Sequence, residues 1–357
     1  VEYRFYPEQD VAFESFKKGE FDSFAIYTSS QWVKETTGER FDKNWIVKQS
    51  IHNYDPVGFQ GFAMNQRREP YNDKRVRKAL AHLLDRKRMN QTIMFDQYAL
   101  TSSYWPDLWD EEHPNPNVET EFDVEKARAL LKEAGWTVNP ATGKLEKNNK
   151  PFVITFLTRD PSTNKFLLIY EEALKDVGIT LKIDQKDWAA WANDMDEYNF
   201  DITWAAWGAG TIKDAEGMWN SASADLKAGN NITGFKNAEV DKLIEQTKEM
   251  FEVADRHEVI RQIDQIIYEE TPYVLLWHID YVRLLYWNKF GMPDHVLGKY
   301  SDEWASVDYW WNDAFQADDL KAARANGAEL PAPPRDVHFD EVFAPAASDV
   351  ARAEPLR

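Results

Sequence analysis

Cysteine is absent from all 357 residues, which removes disulfides, thiolate metal sites and cysteine nucleophiles together. A surplus of positive charge is missing too: 42 Lys and Arg face 61 Asp and Glu, a net charge of −19. Nucleic-acid binding needs a basic surface that displaces counterions, so no nucleic-acid partner is expected. No apolar run reaches the 18 or more residues of a membrane span; the longest, such as Val274–Trp277, are strand-sized. Gly-x-Ser-x-Gly, a phosphate-binding glycine loop and a dinucleotide fingerprint are all lacking. Neither His113 nor His257 has a second histidine at ligand spacing, so neither metal nor cofactor is expected. The chain opens on Val1 with no basic-then-apolar leader, and reads as starting inside a folded region, after processing or as a fragment.

What is abundant is aromatic: 15 Trp, 15 Tyr and 20 Phe. Such rings bury large areas and stack on ligands, and the tryptophans exceed what a core usually needs. They pair along the chain at Trp188 and Trp191, Trp204 and Trp207, Trp277 and Trp287, and Trp310 and Trp311. The length suggests two lobes, and the acidity suits a soluble monomer.

Strand and helix patterns alternate. Val11–Lys18 reads as a helix closed by Gly19, with a strand at Phe21–Tyr27. Asp73 caps a helix expected to run to Met89; the nine Lys and Arg against three Asp and Glu over residues 67–88 read as its solvated face. Asp123–Gly135 is a helix with Ala127, Leu130, Leu131 and Ala134 on one side. Phe152–Leu157, Phe166–Val177 and Ile179–Ile183 form a strand–helix–strand unit, implying parallel pairing. Asp201–Trp207 is a third strand, followed by helices near Ala238–Phe251 and Ala254–Glu270 and by strands Tyr273–His278 and Val282–Asn288. Alternation of this kind argues an α/β fold. The expected division is 1–64, part of a first lobe; 65–275, a complete second lobe; 276–321, a return to the first; and 322–357, an extended tail rich in Ala, Pro and charge.

Several motifs coincide in order and spacing. Phe16-Lys-Lys-Gly-Glu-Phe-Asp22, Asn65-Gln-Arg-Arg-Glu-Pro-Tyr-Asn-Asp-Lys-Arg-Val-Arg-Lys-Ala-Leu80, Asp85-Arg86, Asp123–Trp136 and Asn237-Ala-Glu-Val-Asp-Lys-Leu243 together resemble the bacterial extracellular solute-binding proteins of family 5, the dipeptide and oligopeptide class. Arg67-Arg68, Trp277-His278 and Tyr286–Phe290 are most similar to the branch serving microcin-C-like and murein oligopeptides. The resemblance implies type II periplasmic-binding-protein-like lobes, here one complete and one partial. It also implies a periplasmic substrate-binding component of an ABC importer that traps oligopeptides or modified peptides in an interlobe cleft, hands them to an inner-membrane permease and catalyses nothing. Full members are longer and begin with a signal peptide. One departure concerns the strand before the cleft. The family places Asp three residues after a Trp, to pair with the peptide amine; here Trp207 is followed by Gly210, leaving Asp214 or Glu216 as substitutes.

The expected ligand contacts are Asn65, Tyr104, Trp188, Trp204, Trp207, Asp214, Trp219, Trp277 and His278. Trp204 and Trp207 stand three apart on a strand, so they face opposite sides and one belongs to the core. The rival reading is a carbohydrate-active hydrolase using Trp platforms and paired carboxylates. With 61 acidic residues a pair can always be nominated, so their presence discriminates nothing.

Overall fold

The computed structural model describes residues 1–343 and divides into two compact units: Val1–Asp55 together with the chain from Ile279 onward, and Pro56–His278. In the first unit, Gln9–Lys18 is a helix whose C-terminus is closed by Gly19 at φ +87°, a left-handed conformation that glycine adopts without strain. The helix sets Phe13 and Phe16 against Phe24, Leu285 and Trp287, and the Trp287 indole N–H donates to the Phe16 carbonyl at 2.9 Å. Its sheet has the order Ser23–Phe24, Val282–Trp287, Ile46–His52, Asp336–His338.

The second unit is built on five strands: β1 (Phe59–Met64), β2 (Val153–Thr158), β3 (Thr180–Gln185), β4 (Ile202–Trp207) and β5 (Tyr273–Leu275). Their order is β5-β1-β4-β2-β3. The expected crossover holds: β2 pairs in parallel with both β3 and β4, while β1 runs antiparallel to β4 and β5. Helices α1 (Lys74–His82), α2 (Val124–Glu133) and α3 (Asn164–Asp176) cover one face, α4 (Trp188–Asp196) follows β3, and α5 (Val253–Glu270) packs on the other face. Because side chains alternate along a strand, Phe62, Met64 and Ile202 enter the core with Leu80, Leu131 and Leu167, whereas Phe59, Ala63 and Tyr273 enter the core with Ile260, Ile263 and Ile267.

Several expectations change. Phe59–Met64, assigned from sequence to the first lobe, is a strand of the second unit, flanked by β4 and β5. The helix expected over Asp73–Met89 breaks after His82, and a second begins at Arg86, where the Asp85 carboxylate accepts the Arg88 amide. Its basic residues are not all solvated. Arg77 is buried and donates to the carbonyls of Tyr71, Asn72 and Glu270, and Arg86 is buried and donates to those of Thr101, Thr120, Leu275 and Leu276. A guanidinium carries five N–H groups, so one buried side chain can satisfy several carbonyls that leave regular structure. The extended tail expected from 322 begins instead inside the helix Ala314–Asn326, and Asp336–His338 joins the first unit's sheet in parallel with Ile46–His52; residues 344–357 of that tail lie outside the described residues.

Candidate functional site

The strands β2, β3 and β4 run the same way, so Thr158, Gln185 and Trp207 reach one edge of the sheet. β5 shares that direction, which brings His278 out on the same edge. In open α/β sheets, ligands bind at the carboxyl ends of the strands, where connections diverge. Here the divergence is visible in the register. β4 pairs with β1 along its whole length, from Ile202 opposite Met64 to Trp207 opposite Phe59, but with β2 only at Ile202 and Thr203. The Asn65 amide donates to the Asp201 carbonyl, which fixes the alternation: Thr203, Ala205 and Trp207 aim their backbone groups at β1. Ala206 therefore aims its N–H and C=O to the side that β2 has left, and it is exposed. Gly58 permits this arrangement, since a Cβ there would sit 1.9 Å from the Trp207 carbonyl oxygen.

Two half-buried tryptophans flank this strand end on opposite faces, as their spacing predicts. The Trp204 indole N–H donates to the Gln60 side chain at 3.1 Å, and its ring meets Phe62, Phe166 and Trp277 edge-on. The Trp207 N–H donates to the Tyr273 hydroxyl at 3.1 Å. Both polar handles are thus committed within the protein, leaving ring surface as what these residues offer. Beyond β3, Trp188 is 61% exposed and its ring lies 5.4 Å from that of Trp191. His278 is half-buried on the outgoing strand, opposite Ala99.

Four of the nine nominated residues belong to the interior. The Asn65 amide donates to the carbonyls of Tyr198 and Phe200 and its oxygen accepts the Arg67 amide, so it ties the end of β1 to the turn before β4. Tyr104 and Trp219 are buried in one aromatic cluster with Phe59 and Tyr273. Trp277 is buried against Phe166, Trp204 and Tyr98. Large rings that satisfy a core look in sequence like rings that serve a ligand, and only burial separates them.

Gly210 lies in the loop after β4. An added Cβ there meets only the Ile212 carbonyl oxygen, at 3.5 Å, so the backbone does not require glycine. Asp214 is exposed and accepts the Glu216 amide at 2.9 Å, whereas Glu216 is spent on Lys248 at 2.7 Å. The loop is anchored from beneath by a residue that sequence reading missed. Lys213 is 3% exposed, is ion-paired with Asp107 and donates to the Gly210 carbonyl at 2.9 Å. A second missed group, Asp264, is fully buried. It accepts the Tyr104 amide and the Ser103 hydroxyl, both at 2.7 Å, and the Trp109 indole at 3.0 Å. Burial outweighs those donors and pushes its carboxyl up to about 6. This network explains why the Tyr104-Trp105-Pro106 turn is a structural feature. His113 pairs with Asp110 and Glu258, and among the described residues no cluster of three His, Asp or Glu could hold a metal ion.

No helix among the described residues is long and apolar enough to cross a membrane. Residues 1–228 match the family model for bacterial extracellular solute-binding proteins, family 5. Similar proteins include a probable peptide-binding protein, YejA, of Agrobacterium fabrum, 26% identical over 87% of this chain and 56% of its own length. The oligopeptide-binding protein AppA of Bacillus subtilis is 27% identical over 87% of this chain and 55% of its own. The chain thus spans about half the length of the curated relatives it matches. Among solved structures, AppA in complex with a nonapeptide superposes with a TM-score of 0.72 at 23% identity, covering 87% of this chain and 60% of AppA. The oligopeptide-binding protein of Thermus thermophilus with a pentapeptide gives 0.69 at 21%, covering 88% and 58%. The fold is that of the type II periplasmic peptide-binding proteins, and the chain belongs to family 5 of the bacterial extracellular solute-binding proteins, a family of binding proteins rather than enzymes.

Proposed function

We propose that this chain is the ligand-binding part of a periplasmic receptor for oligopeptides, serving an ABC importer through an inner-membrane permease, acting as a monomer and catalysing nothing. The observation that carries the reading is the half-paired β4. Ala206 presents an amide and a carbonyl on an edge vacated by β2, with half-buried Trp rings above and below. An extended peptide can add to such an edge by main-chain hydrogen bonds, which recognise the backbone and leave side-chain sequence loosely specified. Trp207 and Trp204 on β4, with Trp188, Asp214 and His278, are the residues we nominate as its ligand contacts. Relatives described as peptide-binding, and solved relatives holding a nonapeptide and a pentapeptide, support this ligand class. Within the family we assign the chain to the branch for microcin-C-like and murein oligopeptides, on Arg67-Arg68, Trp277-His278 and Tyr286–Phe290.

Calorimetric titration with a mixed oligopeptide pool, followed by mass spectrometry of the recovered peptides, tests the reading. Saturable binding with every peptide recovered intact is expected. Turnover of peptide or glycan would overturn it, and so would the absence of any binding heat.

A further inference from the structure

Beside the proposed peptide edge lies a cation with no assigned role. Arg159 follows the last residue of β2, at the carboxyl end of the parallel strands. Its guanidinium carbon sits 4.6 Å from the centre of the Trp188 ring and 5.1 Å from that of Trp191, so the planar group rests on a shelf of two tryptophans. The shelf is fixed on one side, since Trp191 packs against the core beneath α5 while Trp188 stays 61% exposed. The backbone on each side of Arg159 is fixed as well. The Thr158 carbonyl accepts the Lys186 amide at 2.9 Å, and the Thr158 hydroxyl accepts the Asp160 amide at 3.2 Å.

The charge of Arg159 is unspent. In a chain with 61 acidic residues, no ion pair to Arg159 exists among the described residues. The neighbouring carboxylates are engaged elsewhere. Asp160 accepts the Ser162 amide, Asp187 caps α4 at the Ala190 amide, and Asp184 and Asp194 both hold Lys186. A guanidinium on aromatic faces keeps its N–H fork free along the ring plane, the geometry that meets a carboxylate with two parallel hydrogen bonds. Its rotamers are already restricted by the stack, so less entropy is lost on binding.

We propose that Arg159, laid on the Trp188–Trp191 shelf, binds a Glu or Asp side-chain carboxylate of the ligand and so selects acidic peptides over neutral ones. The inference rests on the oligopeptide reading and narrows its substrate class. The peptide C-terminus offers the same carboxylate chemistry without selecting acidic sequences, and the test keeps the two apart.

The test is a calorimetric titration of the intact chain with three synthetic pentapeptide pools of otherwise equal composition: one amidated at the C-terminus and carrying Glu, one amidated and carrying Gln, and one carrying Gln with a free C-terminus. The amidated Glu pool is expected to bind roughly tenfold more tightly than the amidated Gln pool, and the free C-terminus to add no advantage that depends on Arg159. An Arg159-dependent gain confined to the free-C-terminus pool would overturn the selection of acidic peptides. Arg159→Gln is expected to abolish the preference while leaving the amidated Gln pool unaffected, and Arg159→Lys, which keeps charge but not the planar fork, to restore only part of it. Arg159 is exposed, so thermal unfolding of the variants is expected to match the parent protein. Equal affinity for all three pools, or a preference that survives Arg159→Gln, would overturn the carboxylate site and leave the receptor reading standing. Binding of no pool would remove the receptor reading and the carboxylate site with it.

Discussion

Two sets of tryptophans in the Pro56–His278 unit differ in what holds them. Trp219 and Trp277, each 1% exposed, are enclosed by other rings, and nothing outside the protein can reach their faces. Trp188, Trp191, Trp204 and Trp207 stand at the carboxyl edge of the strands with ring surface remaining. The first set stabilises the sheet; the second is available to a ligand. The same residue type thus carries opposite consequences for stability and binding, and substitutions should separate them.

The largest effect is expected in the enclosed set. Trp277→Ala or Trp219→Ala should cost about 3–5 kcal/mol of stability in chemical denaturation, as truncating a buried large ring leaves a cavity and removes its contacts. Trp188→Ala should change stability by less than about 0.5 kcal/mol, since most of its ring is already in water. Equal losses at Trp188 and Trp277 would dissolve the distinction.

Next comes Asp264, whose network holds the turn beneath the aromatic cluster. Its carboxyl titrates near 6 when folded and near 3.8 when unfolded, so the folded state binds the proton more tightly. Its contribution to stability is fully present below about pH 4 and is lost as pH rises through about 6, roughly 3 kcal/mol in all. Denaturation midpoints of the parent protein minus those of Asp264→Asn, taken from pH 4 to 7, should fall with rising pH. A flat difference would contradict the assignment.

Smaller effects are expected in the edge set. Trp207→Ala should weaken affinity for the mixed oligopeptide pool by about 2 kcal/mol, roughly thirtyfold, measured by calorimetry. The smallest concerns the amine anchor. Gly210→Asp, which the open surroundings of Gly210 accommodate, should tighten peptides with a free amine a few-fold over N-acetylated ones. No discrimination in that variant would place the peptide amine elsewhere.

The fold was largely legible because its signals are local. Asp123 as N-cap with Gly135 beyond the helix, the apolar runs of β2 and β3, and Gly178 between them each act within a few residues. The break after His82 was less visible, since Asp85 looks like a helix-closing polar residue until its carboxylate is seen to cap the Arg88 amide. Of the site, the strand carrying Trp204 and Trp207 was readable by its period of two. That Asn65, Tyr104, Trp219 and Trp277 lie in the interior was not legible, because burial depends on partners far away in sequence; Trp277, for example, meets Phe166 and Trp204. Arg159 and Lys213 escaped notice for the same reason. A lone basic residue acquires meaning only when Trp188 and Trp191, or Asp107, arrive beside it.

On the proposed reading, a peptide adds to β4 on the side that β2 leaves open. Backbone hydrogen exchange of residues 202–210, with and without the oligopeptide pool, tests it most directly. The Ala206 amide is expected to exchange quickly alone and to become protected when peptide binds, while Ala205 and Trp207, already turned to β1, change little. Saturable peptide binding with no added protection at Ala206 would contradict it.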